Sequence, residues 1–172
     1  NAAYQLFNAV ASFAFVVSSY YASSVASYFA GKKQEKVQYF YYKERIFIVG
    51  LSIVGHLLLI FFSKPIITVL YGEAYLNTVP IFNILMLGSM IRYITVFYML
   101  YYNTNGKHRI QQVINISIAI VNVVLSIWFV NWFGLNGPAY ATVIVFFLSF
   151  LISLYYCEKR IIRFVKEGEQ GI

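Results

Sequence analysis

Five apolar stretches, residues 6–30, 44–64, 78–102, 110–131 and 137–157, dominate the chain and leave it few ways to fold. Each approaches or exceeds the roughly 20 residues that a helix needs to cross a hydrocarbon core. Short polar breaks separate them: GKKQEKVQYFYYKER (31–45), YGEAYLN (71–77), NTNGKHR (103–109) and NWFGLNG (131–137). The 172 residues are 60% hydrophobic and only 11% charged, too little polar surface to cover a water-soluble domain of this length. The predicted fold class is all-α integral membrane, with five spans. Pro65 is expected to end the second span and leave PIITVLY as a short interfacial turn or helix. Pro138 falls where the first turn of a helix tolerates proline.

The basic residues orient these spans. Eleven of the thirteen Lys and Arg residues lie in the first break, the third break and the segment after residue 157. The second and fourth breaks contain none. With five spans, the three basic segments share one side, which the positive-inside rule assigns to the cytoplasm. Residues 158–172 are then a cytoplasmic basic tail and the first span begins outside. Tyr and Trp gather near the span ends, among them Tyr39, Tyr71, Tyr101, Trp132 and Tyr155, as an interfacial belt does. The basic runs set topology, and they are also suited to gathering anionic headgroups from the inner leaflet.

The chain opens on Asn1 without the pattern of a signal peptide and reads as a piece of a longer protein. It has no convincing internal repeat, which fits one half, or less, of a transporter built from two related halves. The single Cys157 excludes an internal disulfide and a cysteine metal cluster.

Polar side chains within spans are costly and mark a bundle interior or a wet cavity. Arg92 sits deep in the third span, in GSMIRYITVFY (88–98), roughly 15 Å from the nearer end and too far to snorkel with ease. No Asp or Glu lies in the interior of a span, and the chain has no Asp at all. Arg92 is therefore expected to meet either a protein partner or an anionic ligand in a cavity. Gln111, Asn115, Asn122 and Ser126 follow at spacings of four, seven and four and share one face of the fourth span. Such a stripe lines a polar path or bonds a neighbouring helix. His56, on a face with Ser52 and Ser63, is either a proton carrier or a hydrogen-bonded interior residue. Asn83 and Ser89 carry the same ambiguity in the third span. Ser19, Ser23 and Ser27, with Ala22, Ala26 and Ala30 beside them, predict a close-packing face on the first span. Lys64 is expected to be an interfacial anchor. No phosphate loop, HExxH or Ser-His-Asp set is present, and the outer breaks are too short to fold into an active site. The chain is not expected to be an enzyme, to need a cofactor or metal, or to bind nucleic acid.

Three segments carry a resemblance. KPIITVLYGEAYLNTVPIFNIL (64–85) has an apolar helix end, a Gly-x-x-Tyr turn at Gly72–Tyr75 and a new helix. NTNGKHRIQQVINISIAIVNVVLSIWFVNWFGLNGPAYATVI (103–144) has a Gly-Lys loop, an Asn-bearing helix and a Phe-Gly-x-x-Gly turn. VASYFAGKKQEKVQYF (25–40) has a basic loop after a span. In this order they resemble the C-terminal half of bacterial polysaccharide and O-antigen flippases of the multidrug/oligosaccharidyl-lipid/polysaccharide exporter superfamily. The resemblance implies a five-helix fragment, about spans 8–12 of 12, of a MATE-like two-lobe transporter in the bacterial inner membrane, partnered by the missing N-terminal lobe of the same chain and by membrane lipids. It implies alternating access to a cavity that carries a polyprenyl-diphosphate-linked oligosaccharide for O-antigen, capsule or exopolysaccharide synthesis. Arg92 would meet the diphosphate, Gln111, Asn115 and Asn122 the sugar, with His56 and Asn83 as further cavity candidates. A multidrug or cation antiporter of the same superfamily is the nearest alternative, but it wants intramembrane carboxylates that these spans lack. A membrane-embedded glycan-modifying enzyme and a structural scaffold are more remote.

Overall fold

The computed structural model describes residues 2–169. Asn1 and the last three residues of the expected basic tail, 170–172, lie outside the described residues. Seven α-helices follow one another: α1 (Ala2–Ala30), α2 (Gln34–Tyr39), α3 (Arg45–Phe61), α4 (Ser63–Tyr71), α5 (Val79–Thr104), α6 (His108–Phe133) and α7 (Gly137–Glu169). A π-helical turn, Phe40–Glu44, joins α2 to α3, so Gln34–Phe61 is one continuous rod. The first break is thus mostly helix, and only residues 31–33 form the turn. Gln, Glu and Lys are good helix formers, so their polarity ends a hydrophobic run without ending a helix.

Chain reversals occur where the backbone demands them. Gly72, Gly106 and Gly134 all have positive φ, at 89°, 64° and 56°, in the turns after α4, α5 and α6. Gly137 lets α7 start directly against α6: a Cβ there would lie 2.5 Å from the Phe129 carbonyl carbon. Asn122 of α6 consequently meets Thr142 of α7, and the two helices form an antiparallel hairpin. Ser63–Tyr71, with Pro65 in its first turn, is a separate short helix as the sequence suggests.

Helix α5 is the axis of the bundle. Its fifteen buried residues surround it on all sides, from Val79 to Tyr102. Tyr93 donates to the Val10 carbonyl at 3.1 Å and Tyr101 packs edge-on against Phe29, so α1 runs parallel to α5. His56 meets Ser89 while Tyr41 reaches Phe97, so α3 runs antiparallel. Gly88 lies against Val143, and Tyr102 stacks on Tyr156, so α7 is parallel again. Helix α6 packs outside α7 and buries no residue. These directions place the first break, the third break and the end of α7 at one end of the bundle, and residues 71–77 and 131–137 at the other. All three basic segments therefore share the same end.

Within an aromatic and aliphatic core the bundle buries scattered polar side chains, while many large apolar ones face outward. The two buried residues of α3 are Arg45 and His56, whereas Phe47, Leu51, Leu57 and Phe61 on the same helix are exposed. Helix α7 turns Thr142, Ser149, Ser153 and Cys157 inward and Leu148, Leu151 and Ile152 outward. Water would reverse that arrangement, whereas lipid favours it because an apolar solvent penalises only the polar groups. Close contact comes from small residues: a Cβ on Gly88 would approach Val143 Cγ2 to 3.3 Å. The predicted serine face of α1 does not fill this role within the described residues. Ser19, Ser23 and Ser27 are exposed, and α1 packs instead through Ala11, Ala14, Ser18, Val25 and Phe29. The spacing of small residues alone did not separate these two faces.

Candidate functional site

Arg92, Thr95 and Met99 follow at spacings of three and four and line one face of α5 over roughly 10 Å. Gln111 and Asn115 occupy the first two turns of α6. Phe146 and Ser149 of α7 complete a groove of about 340 Å³ with these residues, and Phe15 of α1 forms its lip. Because α6 starts at the basic end, the groove runs from mid-bundle towards that end.

The Arg92 side chain is exposed to this groove, its guanidinium carbon 5.6 Å from the centroid of the Phe146 ring. That contact holds the cation by the ring quadrupole and leaves its N–H fork free to donate. Among the described residues, no carboxylate contributes to the lining. Around the cation are two carboxamides, Gln111 and Asn115, and two hydroxyls. Thr95 donates its hydroxyl proton to the Ile91 carbonyl at 2.9 Å, leaving an oxygen that can accept. The groove can therefore bind an anion at one end and hydroxyl groups along its length.

The structure divides the other candidates. Asn122 does not reach this groove: its amide donates to Thr142 Oγ1 at 3.4 Å and its carbonyl accepts from Ser126 at 3.1 Å, tying α6 to α7. The single stripe read on α6 thus does two jobs, a groove wall near the basic end and a helix clasp near the other. His56 lies on another side of α5. Its Nδ1 is 2.7 Å from the Ser52 carbonyl, which can only accept, so Nδ1 carries the proton. In the neutral ring Nε2 then accepts from the buried Ser89 hydroxyl at 2.9 Å, with Tyr93 edge-on against the ring. Asn83 is also outside the groove, and its Oδ1 is buried without a hydrogen-bond partner among the described residues.

One polar cluster escapes a reading by spans. Arg45 is buried, and its guanidinium meets Glu158 through both nitrogens, Nη2 to Oε1 at 3.2 Å and Nη1 to Oε2 at 3.5 Å. Tyr41 and Tyr98 flank it, with ring centroids 5.5 and 5.1 Å away. Arg45 falls where a Lys-rich break overlaps the second apolar run, and Glu158 just beyond the fifth, so hydropathy left both at the edges of runs and gave neither a partner. The spacing of Arg45, Ser52 and His56 on one face of α3 was the available signal.

Alternating apolar helices with polar side chains turned inward define a multi-pass α-helical membrane protein. In sequence the chain is similar to the uncharacterized membrane protein MJ1068 of Methanocaldococcus jannaschii, at 28% identity over 151 residues. The match covers 83% of this chain and 30% of that protein, so the chain spans under a third of the relative's length. No family model matches the chain, and no solved structure matches it.

Proposed function

We propose that this bundle is part of a transporter, a MATE-like lobe that moves a polyprenyl-diphosphate-linked oligosaccharide across the plasma membrane by alternating access. The observation that carries the reading is the groove at Arg92: one cation without a carboxylate in the lining, followed by carboxamides and hydroxyls. A diphosphate suits an arginine because the planar fork donates paired hydrogen bonds and keeps its charge. Gln111, Asn115 and Ser149 are then placed to meet the first sugars. The resemblance in segments 25–40, 64–85 and 103–144 supplies the substrate class, and a bacterial inner-membrane setting with a cytoplasmic C-terminus belongs to the same proposal. A cation-coupled drug exporter is less well served, since a cationic drug and its coupling ion both need acidic ligands.

The test is export of lipid-linked oligosaccharide in cells that depend on the full-length protein, comparing wild type, Arg92→Lys and Arg92→Gln at equal membrane levels. Loss in Gln with partial recovery in Lys is expected. Full export in both variants would overturn the role of Arg92 as the anion-binding group.

A further inference from the structure

Helix α7 is too long for the bilayer. Its 33 residues extend about 50 Å, against a hydrocarbon core of about 30 Å. Counted from Gly137, the core is crossed after about 20 residues, near Cys157. Lys159, Arg160 and Arg163 follow within the next two turns, at the depth of the headgroups.

These three cations surround a cavity of about 510 Å³ whose floor is aromatic, formed by Tyr101, Tyr156 and Phe164. The Arg160 guanidinium carbon sits 4.1 Å from the centroid of the Tyr156 ring. Tyr156 in turn stacks on buried Tyr102, with centroids 5.5 Å apart and an interplanar angle of 25°, so the arginine rests on a packed platform. Phe164 is fixed against Phe29 at 5.0 Å. Among the described residues, Glu167 is the one carboxylate in the lining. Glu158, next in sequence to Lys159, is turned away by its pairing with Arg45. The cavity therefore keeps an excess of positive charge over an apolar floor.

We propose that this cavity binds an anionic glycerophospholipid of the leaflet at the basic end, its phosphate between Arg160 and Arg163 and its glycerol and upper acyl chain on the aromatic floor. Free phosphate would gain nothing from that floor, and a zwitterionic lipid would bring its own ammonium to the cations. The depth on α7 and the amphipathic lining match a headgroup with its first carbons attached. The site is separate from the Arg92 groove and does not depend on the transport reading.

The experiment is native mass spectrometry of the delipidated full-length protein titrated with phosphatidylglycerol or phosphatidylcholine. Wild type is compared with Arg160→Gln/Arg163→Gln and with Lys107→Gln/Arg109→Gln, which removes equal charge at the same end. Helical content by circular dichroism controls for folding; the replaced side chains are exposed or half-buried. Wild type should retain phosphatidylglycerol in preference to phosphatidylcholine, the site variant should lose about tenfold or more of that affinity, and the control should keep it. Equal losses in both variants would show diffuse charge and overturn the site. Equal retention of the two lipids, or displacement by millimolar inorganic phosphate, would also overturn it.

Discussion

Arg45 and Glu158, 113 residues apart in sequence, join the start of α3 to the C-terminal half of α7 through two hydrogen bonds at the basic end of the bundle. The arginine is wedged between Tyr41 and Tyr98, whose faces replace part of the water it gives up. Breaking one side of a buried pair leaves the other charge stranded. The Glu158 side chain retains 24% exposure, which softens that cost. Glu158→Gln should therefore lower stability by about 2 kcal/mol, and Arg45→Met by a similar amount. The double variant should lose less than the two losses added. Thermal unfolding in detergent measures this, and strict additivity would rule out a direct coupling.

Gly88 sets the distance between α5 and α7. Its missing side chain leaves room for Val143 and for Phe146, the ring beneath Arg92. Gly88→Leu should destabilise the bundle by about 1–3 kcal/mol and, by shifting Phe146, also weaken ligand binding at the groove. Gly88→Ala should do much less, because a Cβ needs only a few tenths of an ångström. Melting curves and binding measured on the same preparations test both; an innocuous leucine would mean the helices are not closely packed there.

Asn115 and Asn122 are two turns apart on α6 but should behave differently. Asn122→Ala removes the clasp to Thr142 and should cost roughly 0.6 kcal/mol, with export little affected. Asn115→Ala should leave stability unchanged and reduce export. The same phenotype for both would contradict the division of the stripe.

His56→Leu should cost about 1–3 kcal/mol by leaving the buried Ser89 hydroxyl without its partner, and Ser89→Ala in the same background should recover part of it. Transport corrected for protein level should be unchanged by His56→Leu. A large specific loss of transport would instead point to proton transfer.

Cys157 is fully buried beside the Tyr98 carbonyl, 3.9 Å from its sulfur. It should resist maleimide in the folded protein and react on denaturation. Rapid labelling under native conditions would contradict the packing of α7 on α5.

The long apolar helices and their alternation were legible because length and apolarity are one-dimensional properties. Arg92 was legible for the same reason, as a charge inside a long apolar run. The pairing of Arg45 with Glu158 was not, since each residue lies at the edge of a run and their proximity depends on the antiparallel placement of α3 and α7. The α6 stripe was visible as a face, but a face does not reveal its neighbours; only the hairpin at Gly134 and Gly137 brings Asn122 to Thr142 and leaves Asn115 at the groove. The serines of α1 misled because alanine and serine recur on two of its faces, and the one that packs is decided by the large side chains of α5 opposite.

The π-helical turn at Phe40–Glu44 acts as a phase adjuster within a rod that spans the bilayer. It lets Phe40, Tyr41 and Arg45 all turn inward, although an unbroken α-helix advances by about 100° per residue. Deleting one residue from 40–44 would shorten the rod by only about 1.5 Å, yet rotate everything before it by a quarter turn or more relative to α3. The rod would still be long enough to cross, but Arg45 could no longer meet Glu158 while Val37 and Phe40 kept their places in the core. Length and phase are thus set separately in this helix, the first by its apolar residues and the second by five residues at its basic end.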